Sequence, residues 1–298
     1  MSIIDRIKTA ATDFDVENIK QPISVKLELS SVCNHRCVYC VVPTIKQPYT
    51  FMSDDVFYKS INDIKDFGIE EIGIFHMGEG TLHPKIVQYV EYIIQELPTI
   101  KIFLTTNGTN INVLKQLVEK NINSIKFSLN GYNKEVHKNV TGVDNFDLII
   151  DNLKNLIKYR NEINSSTEIS ASSICYDNDE QIKFSNEISN IVDNFYYTEI
   201  FNHAGKVDNK HIDVEDDKII TNLCVLPCYG MYTLCHIKPN GDVNLCKWGV
   251  DDEFVIGNIL NNPLKSIWFS EYANDLRKKS SNGNLKTCNK CVGYNIKI

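Results

Sequence analysis

Between positions 23 and 201 the sequence alternates six short strand-like segments with longer helix-like ones. The strand candidates are rich in Ile, Val, Phe, Ser and Thr and are bounded by turn residues, at 24–29, 71–75, 101–105, 124–129, 168–174 and 195–201. The helix candidates are 53–66, 84–96, 112–120, 146–159 and 178–192, with Ser53 as an N-cap and Pro84 opening its helix. Such alternation predicts βαβ units and a parallel sheet. Six units without a seventh and eighth predict an α/β fold with an open, partial (β/α)6 barrel.

A cysteine triplet follows the first predicted strand, where barrels of this kind gather their chemistry. Its thiols are Cys33, Cys37 and Cys40, in the run Cys-Asn-His-Arg-Cys-Val-Tyr-Cys. Three thiolates can bind three irons of a four-iron, four-sulfur cluster and leave the fourth iron open. Zinc is the alternative, but structural zinc prefers four ligands, and no fourth follows in this loop.

With Tyr39 just before its third cysteine, the triplet resembles the signature of the radical S-adenosylmethionine (SAM) enzymes. The resemblance implies SAM on the open iron, its reductive cleavage to a 5′-deoxyadenosyl radical, and hydrogen abstraction from substrate. It also implies the same partial barrel, oxygen sensitivity and an electron donor such as flavodoxin or ferredoxin.

The composition, net charge and cysteine count of the whole chain limit the classes of protein to which it can belong. Its 298 residues are 43% hydrophobic and 23% charged, which is ordinary for a soluble globular protein. The net charge of -7 argues against nucleic-acid binding. No apolar run suits a membrane span and no signal peptide precedes the first strand, so we expect a cytoplasmic protein. Ten cysteines in that compartment favour metal or cluster ligation over disulfides.

Polar residues recur after the predicted strands, where SAM would lie. The segment with Gly78 and Glu79 resembles the family's Gly-Gly-Glu-Pro motif, although Met77 and Gly80 replace the first glycine and the proline. A plainer interpretation is that Glu79 offsets the dipole of the next helix. The expected SAM contacts are Tyr39 in the cysteine loop and, at or after the strand ends, Gly78, Glu79, Thr106, Asn107, Ser128, Asn130 and Ser172.

A second cysteine group lies near the C-terminus. Four of its thiols can complete one shell, which zinc or a closed four-iron cluster would fill equally well: Cys228, Cys246, Cys288 and Cys291. The spacing resembles the twitch domain of some radical SAM enzymes, the shorter relative of the SPASM domain, which implies one auxiliary [4Fe-4S] cluster. We therefore expect a lead at 1–22, a barrel at 23–206, a connector at 207–220 and an auxiliary domain at 221–298. That domain is built from a hairpin, 232–238 and 243–246, and a helix that starts near Pro263 and runs to Lys278.

Several reactive residues have no assigned place. Cys175, Cys224 and Cys235 are ordinary buried thiols or donors of a hydrogen atom to a substrate radical, and Cys224 is also an alternative ligand to Cys228. His203 is a candidate catalytic residue or a solvated loop histidine. The catalytic base stays open among His76, His203, Glu199 and Lys206.

The leading hypothesis is oxidation of a small polar substrate, such as a sugar or cyclitol, with the auxiliary cluster as electron acceptor. It rests on the resemblance to the aminocyclitol dehydrogenase type and on an N-terminus too short for a peptide-recognition domain. The second hypothesis is epimerisation or another peptide modification with a cysteine hydrogen donor. The third is a zinc-stabilised binding protein without catalysis.

Overall fold

A nine-stranded sheet forms the centre of the computed structural model, which describes residues 14–42, 49–176, 178–198, 203, 206–207, 226–247 and 252–291. Its spatial order is β6-β5-β4-β3-β2-β1-β7-β8-β9. The strands are β1 Ser24–Leu27, β2 Glu71–Gly73, β3 Lys101–Thr106, β4 Ser124–Ser128, β5 Glu168–Ile174, β6 Asn194–Thr198, β7 Leu234–Ile237, β8 Asp242–Asn244 and β9 Val255–Asn258.

The first six strands are parallel and follow one another in chain order. The barrel is open, because β1 pairs with β2 and β7 and not with β6. The predicted fold class, a partial (β/α)6 barrel, is therefore confirmed. All six predicted barrel strands are present, and the first, second and fourth are shorter than predicted. The predicted end of the sixth strand, at 199–201, lies outside the described residues.

Helices connect these strands as the alternation predicted. They are α1 Asp54–Phe67, α2 Ile86–Glu96, α3 Ile111–Glu119, α4 Lys134–Thr141, α5 Phe146–Glu162, α6 Asp179–Ser189, α7 Gly230–Thr233, α8 Leu264–Trp268 and α9 Glu271–Ser281. Ser53 caps α1 by accepting a hydrogen bond from the backbone N–H of Val56. Proline does not open α2, which begins two residues later. Helix α4 is not among the helices predicted from the sequence.

The two faces of the sheet differ in chemistry. One face is apolar and is buried against apolar side chains of the helices in one continuous core, which includes Val25, Ile72, Leu104 and Phe127. Because successive strand residues point to opposite faces, the other set of side chains lines the barrel interior. That set is mostly polar and includes Lys26, Glu28, Lys126, Ser128, Ser170, Ser172 and His236.

The C-terminal strands continue the barrel sheet. Strand β7 pairs in parallel with β1, and β8 and β9 follow it in antiparallel pairs. The predicted hairpin is present, and β9 is a third strand that was not predicted. Most of the predicted connector, from residue 208 onward, lies outside the described residues.

The single helix predicted from Pro263 to Lys278 is in fact two helices. They separate at Phe269 because Ser270 caps α9 by accepting from the backbone N–H of Ala273. The buried Arg277 closes this corner, with its guanidinium 4.3 Å from the Trp268 ring centroid and Nε donating to the Met231 carbonyl at 2.9 Å. No helix within the described ranges is long and apolar enough to span a membrane.

Candidate active site

The cysteine triplet forms a compact loop after β1. The backbone N–H of Cys40 donates to the Cys37 carbonyl at 3.0 Å, which closes the loop into a turn. Two further backbone N–H groups point at sulfur: His35 N lies 3.5 Å from Cys33 Sγ, and Val42 N lies 3.4 Å from Cys40 Sγ. Such N–H···S contacts stabilise thiolates that ligate iron.

The electrostatics of this loop favour binding of a positively charged metal centre by the three sulfurs. Burial, together with the nearby Cys40 and Cys33 thiols, raises the pKa of Cys37 to about 12. Burial is also the main cause that raises the pKa of Cys33 and of Cys40. Because three crowded thiols resist ionisation without a counter-charge, an iron cluster that accepts all three sulfurs fits this donor set.

The helix α4, which the sequence did not reveal, holds the cysteine loop in place. The backbone N–H groups of Arg36 and Val38 donate to the carbonyls of Thr141 and Val140, at 2.8 and 2.9 Å. The end of β4 meets the same helix at Gly131, where a Cβ atom would lie 2.6 Å from the backbone nitrogen of His137. The local signal for α4 was its N-cap, Asn133, which accepts from the backbone N–H of Val136.

A chain of hydrogen-bonded side chains runs from the loop to the end of β4. His35 Nε2 lies 3.0 Å from Asn145 Nδ2, and Asn145 Oδ1 lies 2.9 Å from His137 Nε2. His137 Nδ1 then lies 2.8 Å from the Leu129 carbonyl. Burial and the neighbouring His137 lower the pKa of His35 to about 4, so this ring is neutral near pH 7. These residues fix the shape of the loop, and no motif pointed to them.

Glu79 gathers the ends of β2 and β3. Its Oε1 accepts from the backbone N–H and the hydroxyl of Thr81, at 3.1 and 2.7 Å, and from the hydroxyl of Thr106 at 2.8 Å. Its Oε2 accepts from the backbone N–H of Asn107 at 2.7 Å. The carboxylate therefore caps the short 3₁₀ helix Gly80–Leu82, as the plainer interpretation expected, and also ties two strand ends together.

Gly78 is required by close packing against the start of the cysteine loop. A Cβ atom there would lie 2.2 Å from the Ser30 carbonyl oxygen. The neighbouring backbone N–H of Glu79 donates to the Val32 carbonyl at 2.9 Å, and Asn107 Nδ2 donates to Asn34 Oδ1 at 2.6 Å. The segment after β2 and the turn after β3 thus lie directly against the loop that carries the triplet.

The remaining expected SAM contacts lie at the ends of β4 and β5. Ser128 and Ser172 are register partners, and Ser172 is buried. Asn130 is also buried and adopts a left-handed backbone, with φ of 59°. Tyr39 is half-buried, hydrogen-bonds to Cys37 and packs near Ile174 at the end of β5. These residues share one edge of the sheet with the triplet.

The candidate catalytic residues are divided by the sheet. Cys175 directly follows β5 at the edge that carries the triplet. Cys235, by contrast, pairs with Val25 on the apolar face and is fully buried in the core. Burial raises the pKa of Cys235 to about 12. This position is the one expected of an ordinary core thiol, the first of the two interpretations of Cys235. Cys224 lies outside the described residues.

The candidates for the catalytic base lie in different surroundings. His203 is buried beside the cysteine loop, hydrogen-bonded to the backbone of Tyr39, and burial with the charges of Lys247 and His76 lowers its pKa to about 4. Lys206 N donates to the His203 carbonyl at 3.3 Å, and Glu199 lies outside the described residues. His76 bridges Glu28 Oε2, at 3.3 Å from Nδ1, and the Lys247 carbonyl, at 3.1 Å from Nε2.

The C-terminal cysteines border the same core. Cys228, Cys246 and Cys288 pack against it, and Cys228 is close enough to contribute to the raised pKa of Cys288. Ser280 Oγ lies 3.4 Å from Cys288 Sγ. Cys291 follows the 3₁₀ turn Cys288–Lys290 and is buried.

In the part of the chain that is described, no three His, Cys, Asp or Glu side chains converge closely enough to hold a single metal ion. Thiolates around a four-iron cluster each bind a different iron, so they stand further apart than four ligands around one zinc ion. The spread of both cysteine groups is compatible with clusters.

The fold and the cysteine loop define a partial barrel with a cluster-type donor set at its strand ends. A model of the radical SAM superfamily matches residues 27–183, and a model of an iron-sulfur cluster-binding domain, SPASM, matches residues 228–292. The first match covers more than half of the sequence, so the chain belongs to the radical SAM superfamily. It is an enzyme that uses SAM and a [4Fe-4S] cluster, with further iron-sulfur chemistry in its C-terminal region. The zinc-stabilised binding protein without catalysis was a wrong alternative.

Similar proteins span several activities. Mycofactocin maturase MftC of Mycolicibacterium smegmatis is 24% identical over 305 residues, which cover 90% of this chain and 75% of that protein. A probable GTP 3′,8-cyclase of Saccharolobus islandicus is 28% identical over 147 residues, 48% of this chain and 46% of that protein.

Two solved structures share the fold. BtrN in complex with AdoMet and 2-DOIA has a TM-score of 0.66 at 16% identity, covering 94% of this chain and 97% of that one. Streptococcus suis SuiB bound to its precursor peptide SuiA has a TM-score of 0.68 at 18% identity, covering 96% of this chain and 74% of that one.

Proposed function

We propose that this protein is a radical SAM oxidoreductase that oxidises a substrate held in the barrel interior. Cys33, Cys37 and Cys40 would hold the SAM-binding cluster, and Cys228, Cys246, Cys288 and Cys291 one auxiliary cluster. With SAM bound, the first cluster would supply a 5′-deoxyadenosyl radical able to remove a hydrogen atom from the substrate, and the auxiliary cluster would supply an acceptor for one electron. A proton leaves to a base or to water, which completes a two-electron oxidation.

The observation that carries this proposal is the contact between His76 and Lys247. His76 follows β2 in the barrel, whereas Lys247 is the residue after Cys246. Its carbonyl lies 3.1 Å from the His76 ring, and the other ring nitrogen faces Glu28 on β1. The auxiliary cysteine segment therefore borders the interior that a substrate would occupy.

The chain's own residues contribute position and seclusion. Glu79, Thr106 and Asn107 form a buried hydrogen-bonded corner beside the cysteine loop, where the amino and carboxylate groups of SAM would be received. The polar interior below this corner orients the substrate, and the helices on the apolar face keep the sheet rigid.

The test is anaerobic turnover of reconstituted protein. With dithionite and SAM, the wild type is expected to release 5′-deoxyadenosine, and Cys37→Ala is expected to release none. With a panel of sugars, cyclitols and their acid or phosphate derivatives, mass spectrometry should find a product two mass units lighter, formed one-to-one with the nucleoside. A product at the oxidation state of its substrate would contradict oxidation.

Peptide modification is a second candidate, favoured by the similarity to the MftC maturase over 90% of this chain. A peptide in the same panel distinguishes the two. Solvent deuterium at one inverted carbon, lost in Cys175→Ala, would assign epimerisation with Cys175 as the hydrogen donor.

A further inference from the structure

Lys126 is an interior lysine that is neither a cluster ligand nor one of the expected SAM contacts. It lies on β4 two residues before Ser128, and its register partners are Thr105 on β3 and Ser170 on β5. Because side chains alternate between the two faces of a strand, Lys126 and Ser128 point to the same side, into the barrel. The half-buried Lys126 side chain therefore enters the interior one inward position below the serine at the strand end.

The amine of Lys126 lies close to residues that are expected to contact SAM. Ser128, Ser172 and Tyr196 are register partners that form one row across β4, β5 and β6. The Nζ atom of Lys126 lies 5.7 Å from the ring centroid of Tyr196 in that row. Direct hydrogen abstraction requires the reacting carbon of the substrate to lie against the SAM site. The amine therefore borders the region that the reacting part of the substrate would occupy.

Within the described ranges, no hydrogen bond or ion pair engages the Lys126 amine, whose contact with Tyr196 is a cation–π contact. The carboxylate on the same face of β5, Glu168, is directed elsewhere. Its Oε1 accepts from Ser170 Oγ at 2.8 Å and from Asn194 Nδ2 at 3.1 Å. Because no carboxylate holds the amine as an ion pair, it can exchange a proton with a bound molecule.

The surroundings of this amine favour its neutral form. Burial lowers the pKa of Lys126 to about 8, and a second cation, Lys247, interacts with it electrostatically. A neutral amine accepts a proton, and a general base is most effective when its pKa lies near the working pH. Lys126 therefore has both the position and the protonation state that a base in this interior needs.

Two of the base candidates taken from the sequence are engaged elsewhere. Both ring nitrogens of His76 face acceptors, Glu28 Oε2 at 3.3 Å and the Lys247 carbonyl at 3.1 Å. His203 is hydrogen-bonded to the backbone of Tyr39 beside the cysteine loop. A base must have a nitrogen or oxygen that can reach the proton it removes, which favours Lys126 over these two histidines.

We propose that Lys126 is the catalytic base that accepts the proton released when the substrate is oxidised. Removal of a hydrogen atom from a carbon that carries a hydroxyl group leaves a carbon radical. The hydroxyl gives its proton to the Lys126 amine, which becomes an ammonium, and the radical loses one electron to the acceptor that the auxiliary cluster would supply. The carbon–oxygen single bond becomes a carbonyl, so two hydrogens and two electrons leave the substrate. This inference rests on the proposed function and names the proton acceptor for it.

Chemical labelling tests the base without a substrate. The anaerobic, reconstituted holoenzyme is treated with a trace of acetic anhydride at a series of pH values, and peptide mass spectrometry follows each lysine. Acetylation of Lys126 should reach half of its maximum near pH 8, because only the neutral amine reacts. Lys154, exposed on α5, is labelled in the same samples and normalises the reagent. Half-maximal labelling of Lys126 near the ordinary value of 10.5, or no labelling at all, would overturn the proposal.

Two substitutions separate a base from a fixed positive charge. With a compound that the wild type oxidises, Lys126→Gln and Lys126→Arg should both slow product formation about 100-fold or more, because neither side chain accepts a proton near neutral pH. The wild-type rate should rise with pH to a plateau above about 8, and this rise should be absent from both variants. The control Lys154→Gln should behave as the wild type. A Lys126→Arg enzyme as fast as the wild type would overturn the base and leave Lys126 a cation only.

Nucleoside release with dithionite reports the proposed function separately. Both Lys126 variants should retain it in the absence of substrate, which also shows that they are folded and carry the SAM-binding cluster. Its absence from the wild type, or a product at the oxidation state of its substrate, would count against oxidation itself. Undiminished oxidation by Lys126→Gln would count against the base alone.

Discussion

The two faces of the barrel sheet use the same strands for different purposes. On β4, Phe127 is fully buried against the helices, whereas the preceding Lys126 points into the barrel. Outward residues supply the apolar burial that stabilises the fold. The residues that point inward are mostly polar or charged, so they line the barrel interior with groups that can bind ligands. The contrast indicates that stability and chemistry can be altered separately, one strand residue apart.

The largest expected effect compares Cys37, in the loop at the strand ends, with Cys235, on the apolar face of the sheet. Cys37→Ala should remove the SAM-binding cluster and with it all nucleoside release, because a cubane held by two thiols lacks a required ligand. Cys235→Ala, in the apolar core, should retain both iron at the triplet and nucleoside release. Iron analysis and chromatography of the reaction distinguish the two variants, and equal loss in both would contradict the division between faces.

A second experiment compares neighbours on β4. Phe127→Ala should lower the free energy of unfolding by about 3–5 kcal/mol, because it leaves a cavity in the core. Ser128→Ala, on the interior face, should change stability little and should weaken SAM binding instead. Urea unfolding measures the stability of each variant, and calorimetric titration measures its affinity for SAM. A large loss of stability in Ser128→Ala would contradict the expected separation.

Glu79→Gln tests the hydrogen-bonded corner at the ends of β2 and β3, where one carboxylate contributes both to stability and to the expected SAM site. Four donors point at this carboxylate, so an amide in its place would direct its own N–H groups at other donors. We expect a loss of about 2 kcal/mol in stability and weaker SAM binding. Glu187→Gln, an exposed residue on α6, is the matched control. Unchanged SAM affinity in Glu79→Gln would leave Glu79 only its role as a cap.

The smallest effect is a pH dependence of stability from Lys126. Its pKa is about 8 in the folded protein, below the ordinary value of 10.5, so the folded state binds fewer protons between those values. Stability should therefore rise as the pH increases from about 8 to 10.5, and the penalty should be complete below 8.

Lys126→Met should remove this rise and add about 1–2 kcal/mol near pH 7, once residual solvent contact is allowed for. Unfolding curves of the wild type and the variant at several pH values measure the difference. A wild-type slope that persists in Lys126→Met would assign the titration to another group.

The sequence predicted the barrel well because its signals are local. Strand periodicity, the Ser53 cap and the cysteine triplet are each evident within a few residues of sequence. Helix α4 was not predicted because it is only eight residues long and most of those residues are polar. The break at Ser270 escaped because a single cap divided a region with continuous helical character.

By itself, the sequence determined the class of fold, the membership in a cluster-binding family and the expected edge for the chemistry. Only the tertiary structure decided which face each residue occupies. It placed Cys235 in the core, joined β7 to β1 and brought the His76 ring to the carbonyl of Lys247. Those relations depend on strand register and on contacts between residues more than a hundred positions apart, which no local pattern encodes.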